Sequence, residues 1–242
     1  MPAVVGIALA AWGALVAGDL LGFAWVVEHD SLFETGTLPL IVAVPLFVAA
    51  WQLMTAAMML PTTLPTVSLF ARAGRGQVRP RLALAVFLAA YFAVWTAFAL
   101  VALVGDEWVH RVVDAWPWLG DRPHLVTGGV LVAAGVGQLT GLTERCVDAC
   151  RNPLHFLLRY YSRGVAAAWR LGLRHGAFCL GCCWPLMLVM FGVGVGSLPL
   201  MLGLAAVMLA VKVAPGGRLL VRPVGIALLM GGLVLVLATL AA

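Results

Sequence analysis

The sequence is short of charge. Asp, Glu, Lys and Arg make up only 10% of 242 residues, where a soluble domain carries about a quarter. That deficit, with 63% hydrophobic residues, excludes a water-soluble globule. Long polar stretches are absent as well, so residues 1–242 read as a single integral membrane domain with no room for a separate soluble one. The first apolar run lacks a basic start and a small-residue cleavage site, and reads as a retained span. Nucleotide-binding loops, nucleophile elbows and zinc-protease helices are also missing. Nothing therefore points to ATP-driven transport, and an enzymatic role is the less favoured reading. The glycine run GVGVGS at 192–197 follows no strand and reads as a tight connection.

What is present is a series of apolar runs. A helical span needs about 20 apolar residues. Seven candidates are seen, at 4–27, 39–70, 82–104, 124–141, 176–196, 198–213 and 220–240. The expected fold is all-α, a polytopic transmembrane helix bundle of about seven spans. The second run is too long for one straight span, and Pro61 and Pro65 are expected to kink or end it. The net charge of +5 sits in short loops, so it reports orientation rather than nucleic-acid binding. Loops 28–38 and 105–123 are acidic; 71–81, 142–175 and the last loop, with Lys212, Arg218 and Arg222, are basic. This alternation places the N-terminus in the cytoplasm, and all of the 15 Lys and Arg except Arg111 and Arg122 with it. Trp108, Trp116 and Trp118 suit an outer interfacial belt. The basic, aromatic-laced segment 151–174 suits an amphipathic helix on the lipid surface or a docking surface for a protein partner.

All five cysteines fall between positions 146 and 183. Cys146 and Cys150 are spaced four apart, just past the end of the fourth span. Cys179, Cys182 and Cys183 form C-x-x-C-C at the start of the fifth. Spacings of three and four share one helix face, and consecutive spans are usually neighbours, so the two groups are expected to meet at the cytoplasmic mouth. Cytosolic thiols stay reduced. The cluster therefore suits a soft metal, with copper favoured and zinc the alternative, held by a frame of four or so thiolates. Alternatively, Cys179 and Cys182 near a helix start form a redox pair activated by the helix dipole. Cysteine as plain apolar filler is the bland reading.

In WQLMTAAMMLPTTLP, Met54 and Met58 stand four apart with Met59 beside them. Met187, Met190, Met201 and Met208 extend the set. Methionine is a common core filler, but thioethers also bind Cu(I). A Met set leading to a Cys set would form a Cu(I) relay. Asp19, alone inside an apolar run, is either functional or near the outer interface. Gln138 and Thr140 line the same site or bond between helices. His29, between Glu28 and Asp30, is either an external metal-capture point or a solvated loop residue.

AMMLP at 57–61, GQLTGLTERCVDACRNP at 137–153 and CLGCCWPLM at 179–187 resemble a bacterial family, catalogued as a domain of unknown function and described as predicted metal-binding integral membrane proteins. The resemblance implies a multi-span inner-membrane protein with a metal site, and carries over to Met58, Met59, Cys146, Cys150, Cys179, Cys182 and Cys183. The family pattern has a Lys where this chain has Thr143, and an acid where it has Val211. Three functions are therefore expected in contention. The first is a protein that binds, transports or delivers a soft metal through Cys146, Cys150, Cys179, Cys182 and Cys183, with Met54, Met58 and Met59 as the path. The second is a membrane thiol–disulfide oxidoreductase, and the third an accessory or assembly subunit of a larger membrane complex.

Overall fold

The computed structural model describes residues 2–23, 38–193 (backbone alone at 191–193) and 197–241. It is all-helical, with no strand among those residues. His29, its acidic loop and the middle of the GVGVGS link lie outside the described residues. In chain order the helices are α1 (Pro2–Leu20), α2 (Leu40–Ala73), α3 (Pro80–Ala115), α4 (Pro117–Gly120), α5 (Pro123–Gln138), α6 (Gly141–Arg151), α7 (Pro153–Tyr160), α8 (Val165–Val193), α9 (Leu198–Val213) and α10 (Val221–Ala241). Five of them are long and apolar enough to cross a membrane, and six crossings result if the bent pair α5–α6 counts as one. The 16-residue α9 matches the sixth expected span, as a shorter apolar helix.

Several boundaries differ from expectation. Pro61 and Pro65 do not end α2, which runs through both and through Pro45. Leaving the helix in apolar surroundings would orphan more backbone groups than a proline does. Hydroxyls from Thr62, Thr63 and Ser68 bond back to the carbonyls of Met59, Leu60 and Pro65, adding local acceptor satisfaction. Helix α3 continues past the expected end at 104 through Asp106 and Glu107, where Arg111 pairs with Glu107 one turn away. The fourth run breaks at Leu139–Thr140 and turns by 63° into α6. Thr140 makes the break: its hydroxyl caps the Thr143 N–H and donates to the Gly137 carbonyl. Helix α8 starts at Val165, not near 176. The polar Arg170, Arg174 and His175 interrupt the apolar run without interrupting the helix, and Arg174 lies over the Tyr160 ring at 4.7 Å.

Helix α8 is the hub, packed on α3, α5, α6 and α9, while α1 leans on α2 and α10 on α5. Small residues set these approaches. A Cβ on Gly172 would strike the α3 backbone at Phe87, and one on Gly181 would stand 2.5 Å from the Cys146 sulfur on α6. The basic turns gather at one end of the bundle. Gln77 bonds Tyr161 and the Gly164 N–H, while Arg218 and Arg222 pair with Asp148 and Glu144 of α6. Trp116 and Trp118 lie beyond the far end of α3, exposed, with Arg122 over the Trp118 ring.

Candidate metal centre

Two helices bring the thiols together. Helix α8 carries Cys179, Cys182 and Cys183, all buried, and α6 lays Cys150 beside them. Sulfur separations are 3.8 Å for Cys150–Cys182 and 3.7 Å for Cys182–Cys183. Cys182 also donates to the Cys179 carbonyl. All five thiols are free. Helix α6 is held in register by Arg151, whose guanidinium donates to the Val211 and Ala214 carbonyls at the end of α9, 2.6 and 2.9 Å away. A cation closing exposed C-terminal carbonyls is a common helix stop; here it ties the Cys150 helix to α9.

The expected frame of four thiolates is not what forms. Among the described residues, no three His, Cys, Asp or Glu side chains converge to hold one metal ion. Two causes are visible. Cys146 turns away to pack on Gly181. Cys179 is already engaged, hydrogen-bonded to the Tyr91 hydroxyl at 3.1 Å and accepting from the Lys212 ammonium at 3.0 Å. A closed tetrahedral site needs four donors, so zinc loses its geometric support. Copper(I), selected by thiolates and thioethers, is served by fewer. Two sulfurs bonded to one ion at about 2.3 Å in a three-donor, trigonal arrangement would stand about 4.0 Å apart. The pairs Cys150–Cys182 and Cys182–Cys183 stand within a few tenths of an ångström of that spacing.

Lys212 is the residue that sequence reasoning misplaced. It was expected in the last basic loop; instead it is buried at the C-terminal turn of α9. Its ammonium reaches Cys179 and, at 3.4 Å, the hydroxyl of Thr62 on α2. A signal existed: it is the only lysine in the chain, beside 14 arginines, at the end of an apolar run. Tyr91 carried no such signal and went unremarked. The redox reading also weakens. Cys179 is the fifteenth residue of α8, counting from Val165, and the helix dipole acts only within the first turn.

The methionines are buried in the same core, three of them one turn from the thiol layer. Met54, Met58 and Met59 of α2 are fully buried, as are Met187 and Met190 of α8 and Met201 and Met208 of α9. Met58 precedes Thr62 by one turn, Met187 follows Cys183 by one turn and Met208 precedes Lys212 by one turn, each about 6 Å along its axis. Because Thr62, Cys179 and Lys212 are bonded together, three helices share a thioether layer next to the thiol layer. Asp19 takes no part; it is exposed at the end of α1. Gln138 is fully buried at the α5–α6 break with neither amide atom partnered among the described residues. Thr143 donates to the Gly137 carbonyl and, more weakly, to that of Gly181, linking the break to the cysteine helix.

No curated protein and no solved structure matches the chain. A family described as PpoB2, copper chaperone, matches residues 48–235. That stretch holds every thiol and thioether named above, and the chain belongs to this copper chaperone family.

Proposed function

We propose that this protein is a membrane-embedded Cu(I) chaperone. In this reading Cys150, Cys182 and Cys183 receive the ion, Cys179 stands beside them on Tyr91 and Lys212, and Met54, Met58 and Met59 form its path toward them. The observation that carries the reading is the close set of free thiols at 3.7–3.8 Å in a chain of a copper chaperone family. The donor chemistry agrees, because sulfur donors select Cu(I) over harder ions.

A lipid setting is supported by the exposed surface. Ile41, Val101, Leu202 and Leu237 are each 60% exposed or more, and helices with all backbone groups bonded internally are what a bilayer admits. The gathering of the basic turns at one end supports a cytoplasmic face there, with the N-terminus on that side, and a bacterial inner membrane is the proposed setting. The thiols stand nearer that end, so copper is handed to the cytoplasm.

At the same end a groove of about 510 Å³ lies between α6, α7 and α8, with Arg145, His155 and Arg159 on its walls. The basic segment 151–174 around it is the proposed docking surface for the copper acceptor. An accessory role in a larger complex is compatible with this surface, and would add a partner without changing the ligand set.

The test is anaerobic Cu(I) titration of detergent-purified protein, followed by the ultraviolet thiolate-to-copper absorption. The wild type is expected to show it at near-stoichiometric copper, and a Cys182→Ser, Cys183→Ser variant to lose it. An unchanged signal in the variant would remove these thiols from the function.

A further inference from the structure

We propose that His175 is a copper ligand at the cytoplasmic end of the path, one turn beyond the thiols. The proposal rests on the Cu(I) reading above and adds a nitrogen donor to it. On α8, His175, Cys179, Cys183 and Met187 recur every fourth residue. They therefore share one face at steps of about 6 Å. All four are buried, His175 at 4% exposure. The face thus presents imidazole, thiol, thiol and thioether in order, each a donor that Cu(I) accepts.

Packing alone does not account for the histidine. Its ring lies between Phe87 and Tyr91, both near-parallel to it at 5.8 and 5.7 Å, with Phe156 at 5.5 Å. A phenylalanine would fill such a slot. Yet the Nε2 atom is buried with no hydrogen-bond partner among the described residues. Leaving a buried polar atom unpaired is costly, and such an atom calls for an explanation by a ligand or other function.

Two contacts say where it leads. Tyr91 joins His175 to the thiols, its ring on the imidazole and its hydroxyl on Cys179. Phe156, whose ring also contacts His175, walls the groove between α6, α7 and α8. Through Tyr91 and Phe156, His175 is linked to both the thiol cluster and that groove. An imidazole there gives the ion a last donor before it meets an acceptor in the groove.

The test is X-ray absorption at the copper edge on Cu(I)-loaded full-length protein, supported by copper stoichiometry. The expected wild-type shell contains sulfur and an imidazole nitrogen. The nitrogen is expected to vanish in His175→Phe, which keeps an aromatic ring in the stack, and to vanish in His175→Gln. It is expected to persist in a variant with His29, His110, His124 and His155 all changed to Ala, which leaves His175 as the only histidine. An all-sulfur shell in the wild type, or an imidazole that survives His175→Phe, overturns the proposal while leaving the thiol site standing. Failure of the wild type to take up Cu(I) at all overturns both.

Discussion

Replacing Lys212 by Met should weaken copper binding far more than it weakens the fold. The ammonium is buried and donates to Cys179 at 3.0 Å and Thr62 at 3.4 Å. Neither partner is orphaned when it goes: Thr62 keeps its bond to the Met59 carbonyl and Cys179 its bond to Tyr91. An apolar side chain of similar length removes the cost of burying a charge along with the two hydrogen bonds, so the expected stability change is about 1 kcal/mol or less. Binding responds differently. One Cu(I) on two thiolates carries a net charge of −1, and Lys212 is the cation beside it. Two unit charges 4 Å apart attract by about 4 kcal/mol at an effective dielectric of about 20. That corresponds to roughly a thousandfold in Kd. Competition with a chromogenic Cu(I) chelator measures it directly, with detergent unfolding as the stability control. Lys212→Arg, which keeps the charge, should recover part of the loss. A Kd for Lys212→Met within about threefold of wild type, far short of the shift calculated above, would refute the reasoning and make Lys212 a structural residue only.

Other consequences follow from the same contacts. Alkylation of the intact protein should label the half-buried Cys150 first and leave Cys179, Cys182 and Cys183 slow; equal rates, read by mass spectrometry, would contradict the described burial. Gly181→Ala should push the Cys146 sulfur, 2.5 Å from the new methyl, at a cost of about 1–3 kcal/mol of overpacking, seen as a lower unfolding midpoint. Arg151→Ala should free the Val211 and Ala214 carbonyls and cost about 1.5–3 kcal/mol for each charged bond lost. It should also loosen Cys150 from Cys182, read as faster labelling of Cys182.

The helical class and the positions of the long apolar helices were legible, because a long apolar run is what a bilayer helix requires; the count of seven spans was not, since five helices are long and apolar enough, or six with the bent pair. Residues 198–213 coincide with α9 to the residue. The ends of other helices were not legible, since a helix persists through charges that it can pair or stack. Glu107 with Arg111, and Arg174 on Tyr160, are such cases. The meeting of Cys150 with Cys182 followed from spacing and neighbourhood. The departure of Cys146 did not, because it depends on a 63° turn after Gln138 and on the missing side chain of Gly181. Lys212 was hidden by its position at the edge of a basic loop: sequence counts a charge, and only packing shows that this one turns inward toward a thiol.

The most direct measurement is the copper-to-protein ratio, by mass spectrometry, of the protein purified anaerobically from copper-supplemented cells beside the Cys182→Ser, Cys183→Ser variant. Near-stoichiometric copper in the wild type, lost in the variant, is the predicted result. Zinc in place of copper, or copper retained without those two thiols, would contradict the account.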